Sequence, residues 1–357
     1  MKNANSLINR IALFDYIRAL ATIFLIITHI IMMDIEFGNV SEEYLLVSKI
    51  ISTITISCNV MFLFLSGALL LPYKEEEILS FYNKRIIKII IPMFVYYFLY
   101  LIVNKRIIFF PPTGLKYYIL NILSGNVPEA PHMWILYIII TFYIICPFLR
   151  ILLKNLKYNQ LFILILISFV CIIIKTLCVY LFKINFVLDN PLTLLVFLPI
   201  YGYFLMKDET KKYYNFIFSL GIISLIILFL LCISSESYLN ICANSSPISI
   251  SIVSSIFVLF KKYEEKFKNN IIINSISKYS FSIVLIHWLI IPNITFNFFN
   301  IHICDGYYIG GLLFTIIISL FFSFFIAFII DNTIILLLNK IFYFIKRFLI
   351  KTEKING

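Results

Sequence analysis

The sequence predicts an all-α integral membrane protein, a bundle of about ten transmembrane helices forming one domain over residues 1–357. Three observations carry this. Hydrophobic residues make up 62% of the 357 and charged residues only 13%, a composition outside the range of soluble domains. Apolar runs long enough to cross a bilayer as helices recur along the whole chain. The remaining charges gather between those runs with a strong basic excess, a formal net charge of +11. On a membrane protein that excess reports cytoplasmic loops, and no basic run is long enough for a nucleic-acid arm.

The ten segments are expected at 11–33, 48–71, 85–103, 132–152, 159–182, 190–206, 213–233, 247–260, 276–296 and 308–339. The first is too long for the apolar core of a signal peptide, and no small-x-small cleavage site follows it, so it is expected to stay as an uncleaved helix. The second carries Ser66-Gly67, a small pair suited to close helix packing. The third opens on Arg85 and Lys88, one turn apart. The fourth follows the longest outer loop, 104–131, and opens on His132-Met133-Trp134. The sixth, seventh and eighth hold no charge. The ninth contains Ser280, Phe281 and His287 within an apolar run. Pro92, Pro147, Pro199 and Pro292 lie in or near segments and are expected to kink them.

Orientation follows from the basic residues. With the N-terminus inside, inner regions hold 22 Lys and Arg and outer regions 6. This places both termini in the cytoplasm, Arg18 toward the cytoplasm and His29 toward the outside. Heavy use of Ile, Lys and Asn suits an AT-rich bacterial genome, hence the bacterial cytoplasmic membrane. The seven cysteines include no Cys-x-x-Cys pair and no zinc spacing, so no metal site is expected. Cys242 and Cys304 fall in outer loops and could pair.

Four constellations could carry chemistry. Arg18 and His29 are eleven residues apart, about three turns, so both project from nearly one face roughly 16 Å apart along the axis. Ionisable groups are expensive inside a bilayer and often line a bundle interior or a wet path. The plainer account is that Arg18 snorkels to the interface and His29 bonds a neighbouring helix. Arg85 and Lys88 would suit the phosphates of a nucleotide-like ligand, or simply anchor the helix on the positive side. His132 with Trp134 could line an acceptor site, or Trp134 could be an interfacial anchor. His287 either joins a shared polar cavity or bonds across helices.

Taken in order, these motifs resemble the acyltransferase-3 family of bacterial membrane acyltransferases. Arg18 and His29 match the family's basic residue, ten residues, then His, with Asp15 in the lead-in. Phe62 to Leu70 is similar to its Phe-rich segment ending in Ser-Gly. Arg85-x-x-Lys88 meets its Arg-x-x-Arg motif except at the second position, where Lys keeps the charge and loses the bidentate fork. His132-x-Trp134 and Ser280-Phe281…His287 match two further motifs.

The resemblance implies acyl transfer, acetyl being the commonest group, from cytoplasmic acyl-CoA to a hydroxyl of a cell-surface or lipid-linked glycan. Acyl-CoA would be a co-substrate, with no bound cofactor or metal. No secreted SGNH-type hydrolase domain follows the last helix, so the chain is similar to stand-alone members. The expected roles are His29 as general base, with Arg18 holding charge and Asp15 orienting its guanidinium. Arg85 and Lys88 would bind the donor, while His132, Trp134, His287 and Ser66 line the acceptor site or cavity. The competing reading is a carrier that exports or flips a glycan or its precursor. The expected partners are acyl-CoA, the glycan and the lipid bilayer, with no nucleic acid.

Overall fold

The computed structural model describes residues 2–103, 119–125, 127, 130–184, 195–234, 246–304 and 307–344. Most of the outer loop 104–131, Cys242 and the C-terminal tail lie outside the described residues. Among those described, every regular element is helical. In order they are α1 (Lys2–Glu36), α2 (Glu42–Thr55), α3 (Cys58–Leu70), α4 (Ile78–Val103), α5 (Trp134–Asn155) and α6 (Tyr158–Thr176). They continue with α7 (Pro199–Leu205), α8 (Tyr214–Ser234), α9 (Pro247–Lys262), α10 (Ile271–Ile290) and α11 (Tyr308–Ile330). Eight described helical segments are long and apolar enough to cross a membrane.

The departures from the expected segments have physical causes. The second segment is two helices, broken at Ile56-Ser57. The polar run Ser52 to Ser57 turns its hydroxyls back on the backbone: Thr55 Oγ1 donates to the Ile51 carbonyl at 2.9 Å and Ser57 Oγ to that of Ile54 at 2.6 Å. Such side chains compete with the helix ladder and bend it. The third helix begins at Ile78, seven residues before the expected start, so Arg85 and Lys88 lie about two and three turns inside it. The sixth segment is represented by a 3₁₀ turn at Leu195–Phe197 and the seven-residue α7, and the eighth by the 16-residue α9. Both are shorter than a full crossing.

Local signals fix several helix starts. Ser246 caps α9 by accepting from the Ser249 amide at 3.1 Å, with Pro247 at the first position. Asn270 caps α10 through the amides of Ile272 and Ile273. Pro92 and Pro147 sit inside α4 and α5.

The expensive helix is the central one. α1 packs against α2, α3, α10 and α11, and Ile17, Ala21, Ile26 and Ile30 are fully buried. Helix α3 crosses α7 at backbone contact. A Cβ on Gly67 would lie 1.7 Å from the Pro199 carbonyl oxygen, and one on Gly202 would lie 1.9 Å from that of Phe64. This is the small-residue packing that membrane helices use when lipid is as apolar as their side chains. The outward faces of α6, α8 and α11 are runs of exposed Ile, Leu and Phe, as a lipid-facing surface requires.

Candidate active site

Arg18 is half-buried and held from two sides. Its Nη1 donates to Ser277 Oγ on α10 at 2.9 Å and lies 3.4 Å from Asp15 Oδ1, one turn earlier on α1. Ser277 Oγ in turn donates to the same Asp15 oxygen at 2.6 Å. The three side chains close a ring that fixes the guanidinium at the α1–α10 seam.

Arg18 faces a cavity of about 630 Å³. Lys74, Arg85, Lys88 and Lys278 line the same space, so five cations converge on it. Lys74, Arg85, Lys88 and Lys278 are all residues that the charge bias assigns to the inner side. Lys88 is exposed and Arg85 half-buried. The Arg85 guanidinium lies over the Phe81 ring at 5.6 Å, and its Nε has no partner among the described residues. The rest of the wall is apolar or weakly polar, including Ser66, Tyr143, Ser280 and Ser282. Among the described residues, the one carboxylate lining it is Asp331, at the start of a π-helical turn after α11.

The mouth is braced by an ion-pair cluster. Arg150, buried, lies 4.7 Å from the centroid of the same Phe81 ring and donates through Nε to the Leu70 carbonyl. Its Nη1 reaches Glu76 Oε2 at 3.2 Å, while Lys84 holds Glu76 Oε1 at 2.9 Å. The Lys84 contact first, then Arg150, holds the Glu76 carboxyl below the usual carboxylate range. The cluster ties the end of α3 to α4 and α5, and so fixes the ring beneath Arg85.

Beyond the far end of the cavity lies a group of imidazoles. His29 sits 5.0 Å, ring to ring, from His287, and His287 sits 4.9 Å from His132. Trp288 stacks on His132 at 5.5 Å and meets His29 edge-on at 4.9 Å. His287 Nδ1 is 2.8 Å from the Val284 carbonyl, so this nitrogen carries the proton and Nε2 keeps its lone pair in the neutral ring. That Nε2, and both ring nitrogens of His132, are buried without a partner among the described residues. Buried polar atoms left unpaired mark a place where a ligand or water is expected to bond. Val284 and Leu136 line the basic cavity, so it ends about one helical turn from His287 and His132. Between Arg18 and His29, Leu25 packs with Cys58 and Val284.

The structure therefore gathers the sequence-selected residues in two places. Arg18, Ser66, Arg85 and Lys88 share the cavity, with Asp15 behind Arg18. His29, His132 and His287 share the imidazole group. Trp134 joins neither. It packs against the main apolar core, and Trp288 holds the aromatic position beside the histidines. Sequence reasoning gave no site role to Ser277, Lys278 or Trp288, which lie in the same stretch as His287, and did not single out Asp331. An acid ending the apolar run Phe-Ile-Ala-Phe-Ile-Ile was a signal for Asp331, since such residues are rare in membrane helices. Among the described residues, no group of three His, Cys, Asp or Glu side chains could hold a metal ion.

A family model described as an acyltransferase domain, of the acyltransferase-3 type, matches residues 11–331. That range holds every residue of both groups. No curated protein and no solved structure matches the chain.

Proposed function

The chain belongs to the acyltransferase-3 family, and from that premise we propose that it moves an acyl group, acetyl in the simplest case, from cytoplasmic acyl-CoA to a hydroxyl of a cell-surface or lipid-linked glycan. It would do so in the cytoplasmic membrane of a bacterium. The observation that carries the reading is the basic cavity lined by Arg18, Lys74, Arg85, Lys88 and Lys278, which ends about one helical turn from His132 and His287, with His29 clustered against His287. Cations at a mouth suit the phosphates of a coenzyme A nucleotide. Uncharged, bondable nitrogens deeper in suit proton transfer at the thioester.

Arg18 and His29 are roughly 16 Å apart along α1, the length of a phosphopantetheine arm and far more than a hydrogen bond. Arg18 therefore holds the donor, braced by Asp15 and Ser277, while His29 acts at the thioester. The acceptor oxygen attacks the thioester carbonyl carbon as its proton passes to the His29 imidazole. The tetrahedral intermediate collapses by breaking the C–S bond, and the departing thiolate takes the proton from the imidazolium. The products are an ester and the free thiol. Arg85 and Lys88 hold phosphate, Lys88 as a point charge, while Ser66, His132 and His287 shape the walls.

The test uses inside-out membrane vesicles containing the protein and acetyl-CoA labelled in the acetyl group. Label passing into glycan, dependent on the protein, supports transfer. Glycan crossing the membrane without any need for acyl-CoA would support a carrier and overturn the proposal.

A further inference from the structure

Asp331 is the carboxylate that neither the sequence motifs nor the mechanism above uses. It lines a cavity that five cations also line, yet no cation lies within ion-pair distance of it among the described residues. Hydroxyls hold it instead. Ser282 Oγ lies 2.7 Å from Oδ1 and 2.8 Å from Oδ2, and the Tyr96 hydroxyl lies 3.4 Å from Oδ1. These donors come from α10 and α4, so the carboxylate is pinned where three helical elements meet. It also stands at the start of a π-helical turn, Asp331–Ile335, and single π turns inside helices concentrate at functional sites. A carboxylate has about four lone-pair sites, and two hydroxyl donors leave part of that capacity facing the cavity.

We propose that Asp331 is a donor-binding residue that accepts a hydrogen bond from an amide N–H of the pantetheine arm of acyl-CoA. This rests on the donor reading above and extends it. The arm between the phosphates and the sulfur is uncharged and carries two amides, whose N–H groups need acceptors once they leave water. The hydroxyls of Ser66, Ser280 and Ser282 and the side-chain carbonyl of Asn339, whose Oδ1 is buried without a partner among the described residues, line the same cavity as neutral acceptors. Asp331 is the strongest acceptor present, because hydrogen bonds to a charged partner are about twice as strong as neutral ones. Ser282 and Tyr96 are then positioning residues that aim it.

The electrostatics give a test with opposite signs. If Asp331 were only a background negative charge, Asp331→Asn would make the cavity more positive and bind every phosphate-bearing ligand more tightly. If it accepts an amide N–H, the same change weakens ligands that carry the arm and spares those that lack it. Equilibrium binding of acetyl-CoA and of adenosine 3′,5′-bisphosphate, which has the nucleotide and no arm, is measured on purified protein in lipid nanodiscs. For Asp331→Asn the expected result is acetyl-CoA binding about tenfold weaker, with the bisphosphate bound as well as before or better. The unchanged protein should also prefer acetyl-CoA over an analogue with N-methylated pantetheine amides, and this preference should vanish in Asp331→Asn. The analogue arm needs no folded variant, so it stands even if Asp331→Asn does not accumulate. Equal or tighter acetyl-CoA binding by Asp331→Asn, or no preference of the unchanged protein between acetyl-CoA and the analogue, overturns the assignment while leaving the donor reading intact. No saturable binding of acetyl-CoA to the unchanged protein overturns the donor reading, and this assignment with it.

Discussion

Removing the mouth cations singly should separate two residues that look equivalent in sequence. Arg85 and Lys88 are one turn apart on α4 and both line the cavity. Their surroundings differ. Arg85 is half-buried, set over Phe81 with Arg150 on the same ring, and its Nε lacks a partner among the described residues. Lys88 is exposed. A charge-assisted contact in a sheltered site is worth about 1.5–3 kcal/mol, about tenfold to a hundredfold in affinity. An exposed ion pair is worth about 0–1 kcal/mol and is screened by salt. Arg85→Ala should therefore weaken apparent acyl-CoA affinity about tenfold to a hundredfold, and Lys88→Ala only a few-fold, with the Lys88 effect fading as salt rises. Arg85→Lys should recover only part of the loss, since the planar guanidinium stacks on a ring as an ammonium does not. Initial rates against acyl-CoA concentration, normalised to membrane abundance, give the answer. Unchanged affinity in both alanine variants, or a larger loss for Lys88→Ala, would refute the reasoning.

Three further outcomes are expected. Gly67→Ala and Gly202→Ala should each destabilise the α3–α7 crossing by about 1–3 kcal/mol or more, because the added Cβ would meet backbone at 1.7 and 1.9 Å, while Gly310→Ala, with open space around it, should be tolerated; thermal unfolding in detergent reads this. Ser277→Ala should leave the facing Asp15 and Arg18 atoms short of a partner, lowering stability by about 1–3 kcal/mol, and should weaken donor affinity more than it lowers the saturated rate. The Glu76 pair is a pH-sensitive brace. Its carboxyl is depressed in the fold, so the pair's stabilisation is present above the unfolded value of about 4.3 and is lost as pH falls through the lower folded value. Glu76→Gln should flatten that acid limb of the unfolding temperature, and an unaltered limb would remove the pair from the account.

Much of the fold was legible because a bilayer leaves few choices. Apolar length reports candidate crossings, and four of the basic residues, Lys74, Arg85, Lys88 and Lys278, line one cavity with Arg18. The first helix was legible in more detail, since the period of a single helix puts Arg18 and His29 on one face. Features that depend on several neighbours were not. The break at Ser57 comes from a hydroxyl run that only marginally lowers mean hydropathy. The close crossing of α7 with α3 is a contact between residues 67 and 199. Ser277 with Asp15, and Asp331 with Ser282, pair across long sequence separations that no local spacing shows. Trp134 and Trp288 look alike as interfacial tryptophans, and only packing decides which one faces the histidines.

The most direct test of the central claim is transfer of labelled acetyl from acetyl-CoA to glycan by His29→Gln, at membrane abundance equal to that of the unchanged protein. General-base work contributes about a hundredfold to ten-thousandfold, and glutamine keeps a hydrogen bond while losing basicity. The account predicts that donor binding stays within a few-fold and that the transfer rate falls by about a hundredfold or more. Transfer near the unchanged rate by His29→Gln would contradict it, and would leave His29 a packing partner of His287 and Trp288.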